Sequence, residues 1–110
     1  MDEISYLRAF EYVKAIAENT RQDQSVIKKA IKVLYNHKIK GEKAGAKLRM
    51  MISKINQVGK LDEVFSFIKN QADYRNLSET EINEVIKKLF GNYANDAAMI
   101  LFDNIDEWTE

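Results

Sequence analysis

"NLSETEINEVIKKLFG", residues 76–91, decides the fold class. Ser78 and Glu81 stand at the S-x-x-E spacing of a capping box, in which each side chain accepts the backbone N–H of the other residue. Leu77 and Ile82 flank the box where a hydrophobic staple closes the turn. From Glu79 onward, Ile82, Val85, Ile86 and Leu89 recur at intervals of three and four, the period of an amphipathic helix. Gly91 is placed to end it. A helix therefore starts at Glu79, and the same period can be followed in both directions.

Downstream, a helix over 93–108 carries Ala94, Ala97, Ala98, Leu101, Ile105 and Trp108 on one stripe. Upstream, 61–72 presents Leu61, Val64, Phe65, Ile68 and Ala72. A helix over 42–58 presents Ala44, Leu48, Met51, Ile52 and Ile55, with Gly59 free to take positive φ at its end. A helix over 24–40 has Asp23 as its N-cap and Ile27, Ala30, Ile31 and Leu34 on its apolar face, with Val26 and Val33 at one margin. The first helix, over 3–18, has Ile4, Leu7, Phe10, Val13 and Ala17 to offer. The chain has no proline, and no two-residue alternation competes. The expectation is an all-α protein: one domain over 1–110, a bundle of five to six helices with short connections.

A chain of 110 residues can bury a core without covalent staples, and 45% hydrophobic residues is ordinary for a globular protein. With no cysteine there are no disulfides, thiol nucleophiles or cysteine metal sites. The N-terminal stretch MDEISYLRAFEYVK is acidic and broken by charges, which is not the pattern of a signal peptide. No apolar run approaches the roughly 18 residues of a membrane helix. A cytoplasmic protein, away from membranes, is the expectation.

The formal net charge is zero, and that sum hides an arrangement. Residues 1–27 carry three bases and five acids, and residues 61–110 carry four bases and eleven acids. Residues 28–60 carry ten bases and a single acid, Glu42. Such segregation creates a local field that the net charge conceals. At 100° per residue, Lys28, Lys29, Lys32, Asn36 and Lys40 fall in an arc of about 120° opposite the apolar face of the second helix. On the third helix, Lys43, Lys47 and Lys54 form one edge beside the core stripe, with Arg49, Asn56 and Lys60 on the other flank. Gly41 can join the two helices as a tight hairpin that sets these faces side by side. Soluble helices ordinarily mix signs and gain i,i+4 pairs, which this window almost forgoes.

Two partners would compensate the repulsion. One is a nucleic-acid backbone, RNA ahead of DNA, bound by Lys28, Lys29, Lys32, Lys40, Lys43, Lys47, Arg49 and Lys54. The other is an acidic protein surface, as for an inhibitor, immunity or adaptor module. The chain itself offers one such surface in Asp103, Asp106, Glu107 and Glu110, so copies can associate head to tail.

The segment "AKLRMMISKINQV", residues 46–58, resembles a signature of the small helical subunit of type III-A CRISPR effector complexes. Ala46, Lys47, Leu48, Arg49, Met51, Ile52, Ile55, Asn56 and Val58 follow its order of small, basic and apolar positions without a gap. The resemblance implies a non-catalytic subunit of an antiviral defence complex, stacked along a filament and touching the guide–target RNA backbone. It implies that Lys47 and Arg49 make such contacts. A later Gly-Arg element of that family has only Ala72 and Arg75 as counterparts, and its C-terminal helix pattern is not present in this chain.

Catalytic and cofactor chemistry finds little footing, so an enzyme, a cofactor and a small-molecule substrate are not expected. His37 is the single histidine, and the wheel places it on the apolar side of the second helix as a half-buried ring with one satisfied nitrogen. The acidic run DNIDE lacks the glycine turn and spacing of a calcium loop. Its acids also oppose the dipole at the end of a helix, which a nearby base would relieve. GEKAGAK lacks the spacing of a phosphate-binding loop. Tyr6, Tyr12, Tyr35, Tyr74 and Tyr93 are scattered, and serve either to cap the core with a wet hydroxyl or to stack on bases.

Overall fold

Asp2, Asp23 and Ser78 each open a helix by accepting a backbone N–H that has no partner inside it. Asp2 accepts from Ile4 at 3.0 Å and Asp23 from Ser25 at 2.9 Å. Ser78 Oγ accepts from the Glu81 N–H at 3.2 Å, while the Ser78 N–H donates to Glu81 Oε1 at 3.0 Å, which completes the capping box. The computed structural model describes residues 2–55 and 59–109. Among these residues there are seven helices and no strand: α1 Glu3–Asn19, α2 Gln24–Asn36, α3 Gly41–Ile55, α4 Leu61–Arg75, α5 Glu79–Phe90, α6 Asn95–Asp103 and α7 Ile105–Trp108.

Three of the helix ends share one device. After α1, α2 and α4 the chain takes a left-handed residue, Arg21 (φ 57°), Lys38 (φ 73°) and Asn76 (φ 54°). The next N–H then turns back to a carbonyl five residues earlier: Gln22 to Ala17 at 2.8 Å, Ile39 to Leu34 at 2.9 Å, and Leu77 to Ala72 at 3.0 Å. This is the Schellman closure, which satisfies orphan carbonyls and turns the chain sharply. It ends α2 at Asn36, four residues short of the expected 40, and carries Lys40 out of the helix. Glycine is the usual mark of this motif, and at 21 and 38 a long basic side chain stands in its place. Gly41 enters α3 with φ 56° and donates its N–H to Ser5 Oγ of α1 at 2.9 Å.

The count exceeds the expected five to six because residues 93–108 break at Asn104 (φ −118°, ψ 32°). Its side-chain amide donates to the Ile100 carbonyl at 2.8 Å, beside its own backbone N–H at 3.1 Å, so one carbonyl at the end of α6 accepts both. The Trp108 indole N–H takes the Leu101 carbonyl at 2.8 Å, the acceptor that an unbroken helix would offer to Ile105. The break lets Trp108 meet Phe65 edge to face at 5.1 Å between centroids, while Phe65 stacks on Phe90 at 5.2 Å. This aromatic cluster joins α4, α5 and α7.

The faces that the periodicity selects on α2, α3, α4 and α6 are buried at Ile27, Leu34, Leu48, Ile52, Phe65 and Leu101, whereas on α5 Ile86 is buried, Ile82 and Leu89 are half-buried and Val85 is 43% exposed. The face of α1 differs. Ile4 and Leu7 are 64% and 51% exposed, and the buried residues are Ala9, Val13 and Ala17. Each three-residue step falls about 60° short of a turn, so Ile4 and Val13 lie on opposite sides of the helix. The small row suits a close approach to α3. A Cβ on Gly45 would stand 2.4 Å from the Ala9 carbonyl oxygen and 2.6 Å from Tyr12 Cβ. Only hydrogen at this position lets the two backbones touch.

Gln22, 7% exposed, supplies a cap that no local pattern announces. Lys60 precedes α4 and offers no side-chain cap, so Gln22 Oε1 reaches from the α1–α2 turn to accept the Leu61 N–H at 2.8 Å. The radius of gyration is 13.0 Å, close to the about 13 Å of a compact chain of this length. No helix among the described residues is long and apolar enough to cross a membrane.

Candidate nucleic-acid interface

The ten bases of residues 28–60 are distributed by the helices that carry them. On α2, Lys28, Lys29 and Lys32 are exposed, opposite the buried Ile27, Ala30, Ile31 and Leu34. Lys28 Nζ lies 5.8 Å from the centroid of Phe10 on α1. Phe10 in turn stacks on Tyr6 at 6.0 Å, and partial burial pushes the Tyr6 phenol above its ordinary pKa. So α1 adjoins α2 through this aromatic pair and adjoins α3 through Gly45. The expected pairing of two basic helices is in fact an arrangement about three helices.

Lys40 is exposed but stands in the α2–α3 link, its Nζ 5.0 Å from the Tyr35 ring. It borders an open pocket of about 340 Å³ with Lys43, Arg8 of α1 and two acids, Asp2 and Glu42. Arg8 escapes any reading confined to 28–60. Its neighbours in sequence are mixed in charge, and only the fold brings it beside Lys40 and Lys43.

Lys47 corrects the expected edge of α3. Lys43 and Lys54 are exposed, but Lys47 between them is 8% exposed. Its Nζ donates to Asp96 Oδ1 at 2.7 Å and to the Tyr93 carbonyl at 2.9 Å, and lies 4.6 Å from the Tyr93 ring centroid. The α5–α6 connection covers this margin of the stripe, and the lysine stem packs beneath it while the charge finds internal partners. Lys47 is therefore spent inside the protein and offers no strand contact. Arg49 is exposed on the other flank, in a groove against α1. Lys60 is exposed as well; Asn56 and Val58 lie outside the described residues.

Asp103, Asp106 and Glu107 are exposed at the far end of the chain. The break at Asn104 places Asp106 and Glu107 in the single turn of α7 rather than at the end of one long helix. Asp103, at the end of α6, keeps the unfavourable position. Lys69 borders the same surface, pairing with Asp73 at 3.5 Å and standing 5.5 Å from the Phe102 centroid. Glu110 lies outside the described residues. No group of three or more potential metal ligands occurs among the described residues.

His37 is exposed, not half-buried, because the helix ends before it and the wheel no longer applies. Its Nδ1 meets the Val33 carbonyl at 3.0 Å, so the expected single satisfied nitrogen is present. Tyr12, Tyr74 and Tyr93 are exposed, whereas Tyr6 and Tyr35 are half-buried. No family model, curated protein or solved structure matches this chain.

Proposed function

We propose that this chain is a non-enzymatic helical subunit that binds the backbone of RNA, or of single-stranded DNA, within a larger nucleoprotein assembly. The observation that carries the reading is the accessibility of the basic segment. Nine of the ten bases between residues 28 and 60 are exposed, and Glu42 is the one acid among them. Like charges held on rigid helices repel one another, and a phosphate strand relieves that repulsion while releasing its condensed counterions. The resemblance of residues 46–58 suggests the kind of assembly, a type III-A CRISPR effector, with Arg49 rather than Lys47 as the strand contact. Backbone contacts position a strand without reading its sequence, so recognition is indifferent to base identity at these lysines.

Binding of a labelled single strand, measured against salt, tests the reading. Log affinity falls linearly with log salt, and changing Lys32, Lys43 and Lys54 together to glutamine flattens the slope by about 2, at roughly 0.7 per contact. No binding by the wild type at low salt, or a slope untouched by the triple change, assigns the basic face to an acidic protein partner instead. A compact protein interface with an apolar centre would show much weaker salt dependence.

A further inference from the structure

The groove between α1 and α3 holds different chemistry from the lysine faces. It measures about 600 Å³ and is lined by Glu11, Tyr12, Ala15, Ile16, Asn19 and Arg49. Tyr12 is 42% exposed. Its seat is set by Gly45, whose missing Cβ would come within 2.6 Å of Tyr12 Cβ. Arg49 follows Gly45 by four residues, one turn along the same side of α3. An aromatic ring and a guanidinium thus face one open groove from two helices whose backbones are in contact.

These groups suit a nucleotide better than a bare phosphate. An aromatic face accepts any base by stacking, and a guanidinium forks onto a phosphate. The carboxylate of Glu11 repels a phosphate from the α1 wall, which leaves Arg49 on the α3 wall as the anion contact. The Glu11 carboxylate can accept from a base edge, and the Asn19 amide can accept from it or donate to it. None of this is available to a base that is paired and stacked inside a duplex.

We propose that this groove holds one unstacked nucleobase against Tyr12, with the adjoining phosphate on Arg49, and so selects single strands over duplexes. The proposal rests on the backbone-binding reading and adds to it a contact that the lysines cannot make.

Two labelled probes of equal length and charge separate them: an oligouridine strand and the same ribose-phosphate strand with abasic residues. The wild type should bind the base-bearing strand about fivefold or more tighter, the lower end of what one stacked base contributes. Tyr12→Phe should keep that preference. Tyr12→Ala should abolish it without changing the salt slope, because no charge is removed. Arg49→Gln should weaken both probes and flatten the slope by about 0.7. The wild-type comparison needs no variant, so it stands even where Tyr12→Ala fails to fold. Equal wild-type affinity for the two probes, or a preference that survives Tyr12→Ala, overturns the stacking contact and leaves the backbone reading in place. Failure to bind either probe overturns the backbone reading, and this inference with it.

Discussion

Lys47 of α3 donates to Asp96 near the start of α6 across 2.7 Å, and the same ammonium holds the Tyr93 carbonyl at 2.9 Å. One side chain thereby fastens α3 to the α5–α6 connection. The pair is asymmetric: the lysine side chain is almost covered, whereas Asp96 is largely open to water. Losing the acid would leave a covered charge with only a carbonyl. Losing the base would leave a carbonyl without its donor.

Lys47→Gln should therefore lower stability by about 1–3 kcal/mol, the usual cost of breaking a buried hydrogen-bonded group. It should leave the salt slope for nucleic-acid binding unchanged. Thermal melting and a salt titration of binding check the two halves. An unchanged melting temperature with a flatter slope would return Lys47 to the surface.

Gly45→Ala should lower the melting temperature. In an isolated helix this change stabilises by about 0.8–1 kcal/mol. Here the new methyl would stand 2.4 Å from the Ala9 carbonyl oxygen, and that oxygen belongs to backbone. The helices would have to separate, at the roughly 1–3 kcal/mol typical of overpacking. A rise in melting temperature would contradict the contact between α1 and α3.

Ser78→Ala should cost about 1 kcal/mol through loss of the α5 cap. Its effect depends on pH in a stated direction. The Ser78 backbone N–H first, and its side chain second, hold the Glu81 carboxyl below the ordinary glutamate range. A lowered folded pKa contributes stability that is present above the unfolded value and lost as pH falls through the folded one. Ser78→Ala keeps that backbone N–H and loses only the smaller, side-chain share, so its difference from wild type should narrow modestly on acidification below the ordinary glutamate pKa. Denaturant melts across that range measure it, and a gap that widens in acid would contradict the capping box.

Sedimentation at low salt should show self-association that weakens as salt rises, because the exposed acids at the C-terminal end face a chain whose middle is basic. Changing Asp103, Asp106 and Glu107 together to lysine should abolish it. A monomer at every salt concentration would remove head-to-tail stacking as a way for copies to assemble.

The order of the helices, the caps at Asp23 and Ser78 and the buried face of α2 were legible from sequence, because each rests on contacts within a few residues or on a period that repeats over several turns. Local chemistry suffices for such features: Ser78 needs only Glu81, three positions away. The charge segregation was equally legible, since it needs counting alone. What the tertiary structure decided is how the margins of those helices are used. Lys43, Lys47 and Lys54 are alike in type and in place on the wheel, yet only Lys47 lies where the α5–α6 connection crosses. Gln22 caps a helix thirty-nine positions away, and Gly45 matters through a carbonyl of another helix. Arg49 gains its aromatic neighbour Tyr12 by the same approach of α1 to α3. A periodic pattern defines an apolar stripe, but whether a residue at its edge meets water or protein depends on a partner surface that the pattern does not contain.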